Sequence, residues 1–220
     1  MSEEKLGAGV SERAGRGIDR RTVLRGAAWS VPVVTLAVAA PSAAASVNNA
    51  DLQLTGLDAN LLSIQVLDSP TVATAAVALT VPTQLAVVNG AGALTGSATV
   101  SIRVGRPSGI ALTLGRARGF GVHRFDGATT TSGQRTTVYE TNALGSQIGF
   151  PVTTFTTTTN LNVASGQTLN IPLVWGLAGS RSGVAVNALA TFPVTATVTV
   201  GGRTLSAASS IIVPLNAGVL

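Results

Sequence analysis

The sequence predicts an all-β sandwich, and three observations carry that prediction. Apolar and polar residues alternate over many short rows, and a strand places successive side chains on opposite faces. Threonine, which suits a pleated and half-buried surface, occurs 26 times between residues 46 and 220. Glycine-rich breaks at Asn89-Gly90, Gly92, Gly105, Gly109, Gly127, Gly145, Ser165-Gly166 and Ser180–Gly183 separate the rows. No segment shows a helical period.

In chain order, Leu52 and Leu54 flank Gln53, and Leu62, Ile64 and Val66 flank Ser63 and Gln65. Ala75, Val77, Leu79 and Val81 continue the pattern. Ala98, Val100, Ile102 and Val104 alternate with Thr99, Ser101 and Arg103, and Ile110 to Leu114 reads as a further strand. Leu169, Ile171, Leu173 and Trp175 form one buried face; Phe192, Val194, Ala196, Val198 and Val200 form another. Gly201-Gly202, between that row and Arg203–Leu205, predicts a primed hairpin turn. Nine to eleven short strands at this spacing point to a sandwich of immunoglobulin-like or Greek-key type. Residues 46–220 make either one sandwich or two small β units divided near 127–134.

Residues 1–45 read differently. Asp19-Arg20-Arg21-Thr22-Val23-Leu24-Arg25 precedes an apolar stretch, Gly26–Ala40, and then Pro41-Ser42-Ala43-Ala44-Ala45-Ser46. This is a basic region, a short apolar region and a small-residue cleavage site. Ala43 and Ala45 are the residues a signal peptidase would accept, with the cut before Ser46. The segment resembles a twin-arginine (Tat) signal peptide of secreted actinobacterial proteins. Arg20 and Arg21, followed by Val23, Leu24 and Arg25, carry the resemblance. Asp19 stands where such leaders usually have Ser or Thr, and Val23 where they usually have Phe. The resemblance implies the Tat translocase and signal peptidase as partners during export, a secreted or cell-surface location, and only transient membrane contact. The alternative for the same stretch is a membrane anchor through an uncleaved leader. Tat-type export carries folded proteins, and a chain without cysteine folds without an oxidising compartment.

Composition narrows the function. Charged residues are 10% of the chain, against about 25% in an ordinary domain. The absence of cysteine excludes thiol catalysis and Cys-zinc sites, and the single histidine leaves little room for a metal centre. No cofactor and no metal are expected. Lys5 is the only lysine, so Lys-Asn isopeptide staples are excluded between residues 46 and 220. A nucleic-acid partner is not expected, because the eight arginines of that region are offset by five acids and form no dense basic face.

Arg106, Arg116, Arg118 and Arg124, with Arg103 and His123, are the candidate polyanion-binding residues, since guanidinium forks grip phosphates and carboxylates. The ordinary reading is a set of solubilising surface charges. Phe120, Phe125, Tyr139 and Trp175 are candidate stacking platforms beside them. His123 with Asp126 and a serine lacks the G-x-S-x-G elbow of a hydrolase; Gly179–Gly183 has Arg181 at its centre. The acids sit in turn contexts such as Asp58 and Asp126-Gly127. No catalytic residue is assigned. Thr195, Thr197 and Thr199 read as outward strand residues, and Thr156–Thr159 as a loop. The expectation is a Tat-exported, non-enzymatic structural or interaction module, with Thr-rich faces and the arginine region as contact surfaces. The alternative is a secreted carbohydrate- or cell-wall-polyanion-binding module.

Overall fold

A computed structural model describes residues 49–57, 63–74, 80–182 and 188–215. The leader, with Arg20, Arg21, Val23, Leu24, Arg25, Ala43, Ala45 and Ser46, lies outside the described residues, as does Asp58. Among the described residues no helix is long and apolar enough to cross a membrane.

The chain forms β1 (Asp51–Leu57), β2 (Ser63–Gln65), β3 (Val72–Thr74), β4 (Pro82–Val88), β5 (Leu94–Val104) and β6 (Gly119–Phe125). It continues with β7 (Ala128–Thr129), a 3-10 turn (Ser132–Gln134), β8 (Arg135–Thr141), β9 (Gln147–Val163), β10 (Thr168–Ala178), β11 (Ala188–Val200) and β12 (Arg203–Leu215). Two five-stranded antiparallel sheets, β1-β4-β10-β6-β7 and β12-β11-β5-β9-β8, face each other, and β2-β3 is a separate hairpin. The all-β sandwich is as the sequence predicts. Because β10 lies between β4 and β6, and β5 between β11 and β9, strands from both sides of residues 127–134 interleave in one sandwich.

The alternating rows face the core. Ala98, Val100, Ile102 and Val104 of β5 and Ala190, Phe192, Val194, Ala196, Val198 and Val200 of β11 are all buried. Phe192 anchors the centre, edge-on to Phe120 (5.1 Å between centroids) and to Phe150 (5.5 Å). Such contacts add about 0.5–1.5 kcal/mol each to the burial itself. Two hairpins close on primed turns. Gly201 and Gly202 have φ of 56° and 76°, and Asp126 and Gly127 have φ of 52° and 76°. Both turns match the right-handed strand twist.

Several elements differ from the sequence expectation, and the described residues hold twelve strands rather than nine to eleven. Ile110 to Leu114 is no strand. Ile110 and Leu112 do tuck against the core, but the segment runs along the sandwich rim, and its neighbour Arg116 makes only an isolated parallel bridge to Gly149. Thr156–Thr159 is no loop but the middle of β9, paired with β5. Thr156 and Thr158 point outward, while Thr157 and Thr159 point inward and stay partly exposed. The β2–β3 hairpin docks on the upper half of β10, where the Leu67 amide donates to Leu177 O (2.8 Å).

Candidate interaction surfaces

Two surfaces emerge from this framework. The first is the outer face of the sheet containing β11. Its register aligns hydroxyls across four strands. Thr204, Thr199, Thr99 and Thr158 form one row, and Ser206, Thr197, Ser101 and Thr156 the next. A third row holds Ala208, Thr195, Arg103, Thr154 and Thr136. Strand geometry sets the spacing at about 4.8 Å across strands and about 6.8 Å along them. All of the first row is exposed, and Arg103 is the only charge in the three rows. Thr199 and Thr204 hydroxyls lie 3.1 Å apart, within hydrogen-bond reach. The sequence shows each T-x-T run, but the pairing that turns runs into a lattice exists only in the folded register.

The second surface is the rim formed by residues 105–118, the β8–β9 turn and the end of β10. It has two neighbouring clefts that share Ile148. One, of about 520 Å³, is lined by Leu114, Arg116, Leu144, Gln147 and Ser182 among others; the other, of about 320 Å³, by Arg106, Ile110, Glu140 and Phe150 among others. Leu114 and Leu144 are strongly exposed there.

The rim is held by its own arginines. Arg106 Nε–H donates to Phe150 O (2.9 Å), and its Nη1 pairs with Glu140 Oε1 (3.2 Å). Arg116 Nη1 donates to Gln147 Oε1 (3.0 Å), and the guanidinium lies 5.8 Å from the centre of the Tyr139 ring. The Arg116 amide donates to Ser182 Oγ (2.7 Å), and the Ser182 amide donates back to Arg116 O (3.0 Å). Arg118 is half-buried beside Tyr139, and its Nε is buried without a hydrogen-bond partner. The Tyr139 hydroxyl accepts from the Ser180 amide (2.9 Å) and lies within donating distance of Ser180 O (2.8 Å) and Ala117 O (3.0 Å). One phenol thus ties three segments together. Burial raises its pKa above the usual 10, against the opposing pull of the Ser180 bonds, Arg116 and Arg118.

Three of the five arginines named from sequence, Arg106, Arg116 and Arg118, therefore share one rim, while Arg103 lies on the outer face of the sheet containing β11. Arg124 does not join them: it is exposed at the far end of β6, six residues or about 20 Å from Arg118. The stacking platforms are corrected more sharply. Phe120, Phe125 and Trp175 are buried in the core, and Trp175 Nε1–H donates inward to Pro82 O (2.5 Å). Only Tyr139 stays partly exposed.

His123 has arginines rather than a carboxylate for electrostatic neighbours. Burial lowers its pKa from the ordinary 6.5, and Arg124 and then Arg135 lower it further. Asp126 sits within the β6–β7 turn, its amide donating to Pro172 O (3.0 Å). Among the described residues no group of three or more His, Asp or Glu is placed to hold a metal ion.

One residue pair escaped the sequence reading. Arg135, whose side chain is 9% exposed, pairs with Asp68 and donates through Nη1 to Thr130 O (2.6 Å). The pair fastens β8 to the turn after β2, in which Asp68 takes a positive φ of 62°. Nothing in the sequence links positions 67 residues apart.

No family model matches the chain, and no curated protein and no solved structure is found to be similar to it.

Proposed function

We propose that residues 46–220 act outside the cell as a non-enzymatic structural or interaction module, exported through the Tat pathway by the leader and released by signal peptidase. The observation that carries the interaction role is the hydroxyl lattice. Its first two rows present eight Ser and Thr side chains, uncharged and regularly spaced, on a rigid sheet. Each hydroxyl both donates and accepts, and each loses little rotamer freedom on contact. Such a surface suits a repetitive polar partner, a cell-wall polymer or another extracellular protein. The proposal involves no cofactor.

The rim favours the alternative, a polyanion-binding module. Arg116 and Arg118 flank Tyr139 beside the larger cleft. A polyanion there would have to compete with the Gln147 bond that Arg116 already makes.

Pull-down on purified cell wall separates the two. If the lattice carries binding, a Thr99→Val, Thr197→Val, Thr199→Val variant loses it, and salt changes it little. If the rim carries binding, Arg116→Gln with Arg118→Gln loses it, and binding of the parent falls as salt rises. Binding that survives both variants overturns both surfaces. For export, Arg20→Lys with Arg21→Lys is expected to block secretion; normal secretion of that variant overturns the Tat assignment.

A further inference from the structure

A sandwich has four edge strands, and each exposes a row of backbone groups that another strand can pair with. In this molecule three of the four edges are blunted. The edge formed by β7 is two residues long. The edge at β8 carries Arg135 and Glu140, has a register shift between Val138 and Glu140, and lends Val138 O to Arg106. The edge at β1 begins with Asp51 and contains Gly56 at a φ of 69°. These are the usual devices against unwanted pairing: short length, charge and backbone irregularity.

The fourth edge, β12, lacks all of them. It is 13 residues long, its register with β11 is unbroken, and it has no charge after Arg203 and no proline before Pro214. Its open groups can be assigned by parity. The Ile212 amide donates to Thr80 O (3.0 Å), so the backbone of Ile212 points away from β11. Alternate residues of a strand point the same way. Thr204, Ser206, Ala208 and Ser210 therefore turn their N–H and C=O groups outward too. None of those groups bonds to another backbone group among the described residues. The edge strand of the facing sheet, β1, packs near β12 but exchanges no ladder bond with it.

This window runs from the Gly201-Gly202 turn to the Thr80 bridge and begins and ends on outward-pointing residues. It is therefore self-complementary about Ala207. We infer that β12 pairs with β12 of a second copy of this chain, antiparallel across a two-fold axis at Ala207, joining two five-stranded sheets into one of ten. Thr204 then faces Ser210 and Ser206 faces Ala208, giving about eight inter-chain backbone bonds. On the inner side Leu205 faces Ser209 and Ala207 faces its own copy. Every cross-chain neighbour in the window is uncharged, and most are small. A closed two-fold contact of this kind is the commonest route to a homodimer.

The inference stands apart from export and wall binding, and its test reads neither. Sedimentation of the full-length chain over a rising concentration series is expected to show a monomer giving way to a dimer. Ser206→Lys is expected to weaken that dimer at least about tenfold, since two lysines enter one interface. Ala208→Pro, which removes an outward N–H without breaking a bond to β11, is expected to do the same. If the proline variant loses its far-ultraviolet β signature, the lysine variant decides. The chain has no native thiol, so Ala207→Cys under mild oxidation is expected to give a covalent dimer, and Thr158→Cys on the open sheet face is expected not to. A monomer at every concentration overturns the pairing. So does a dimer unaffected by Ser206→Lys, or equal cross-linking at positions 158 and 207.

Discussion

The Tyr139 hydroxyl occupies the space beside Gly179 that any side chain there would need. A Cβ on Gly179 would overlap the phenol oxygen and come to 3.0 Å from Cζ. Gly179 also has a φ of 85°, where side chains other than glycine's are strained.

Gly179→Ala is therefore expected to destabilise the protein by about 2–3 kcal/mol, combining backbone strain and overlap. Tyr139→Phe, which removes the bonds to Ser180 and Ala117, is expected to cost about 1–2 kcal/mol. The double variant is expected to lose less than the sum, because removing the hydroxyl makes room for the new methyl. Urea denaturation of the three variants checks this, and strict additivity contradicts the clamp.

Arg135 offers a second test. Its side chain is nearly buried, whereas the side chain of Asp68 is 58% exposed. Asp68→Asn keeps an acceptor oxygen for the guanidinium but removes the negative charge that pairs with it. A loss of about 1–2 kcal/mol is expected, held down by solvent screening at Asp68. Raised salt should narrow the gap between variant and parent in thermal melts.

His123 sets a pH dependence. Its pKa in the fold is depressed, so the unfolded chain binds the proton more readily. The neutral imidazole's stabilising contribution is complete above the ordinary 6.5 and is lost as pH falls from there through the folded value. The melting temperature is expected to fall between about pH 7 and about pH 5, and less steeply in His123→Gln. The difference between the two curves isolates the imidazole from the carboxylates; parallel curves would refute its role.

The β11–β12 turn provides the fourth test. Both turn glycines lie at positive φ. Gly201→Asn keeps a residue that tolerates this region while restricting the unfolded chain, and is expected to stabilise by a few tenths to about 1 kcal/mol. Gly202→Val is expected to destabilise by about 1–2 kcal/mol. Melting curves of both variants should move in opposite directions.

What could be read from sequence follows from how each strand is covered. In β5, β11 and β10 as far as Trp175, one face meets the core, and the alternation survives. In β6 it does not, for two reasons. Gly121 and Gly176 form a seat for the β2–β3 hairpin: a Cβ on Gly121 would meet Leu67 Cδ1 at 2.9 Å, and one on Gly176 would meet Gln65 O at 2.8 Å. A bulge then inserts His123, since Val174 pairs with Arg124 and Trp175 with Val122. The bulge shifts the buried parity from Phe120 and Val122 to Phe125. The inner face of β9 is hidden by its own composition. It uses Pro151 and Thr153 where an aliphatic row is expected, and Thr153 is admitted because its hydroxyl donates to Phe120 O. The segment containing Ile110 and Leu112 alternates because it lies half on the core, which mimics a strand without pairing. The arginine rim was visible as a cluster of charges, but which guanidiniums meet Tyr139 depends on the path of residues 105–118.

The interleaving of strands has a kinetic consequence. Five of the connections pass from one sheet to the other, so most neighbours in a sheet come from distant parts of the chain. Long loops must close before their contacts reward them, and all-β sandwiches accordingly fold in about milliseconds to seconds. If the proposed export after folding holds, the protein spends that interval in the cytoplasm with a β12 edge that is open among the described residues. Its dwell time before translocation, rather than its final stability, would then set its exposure to misassembly.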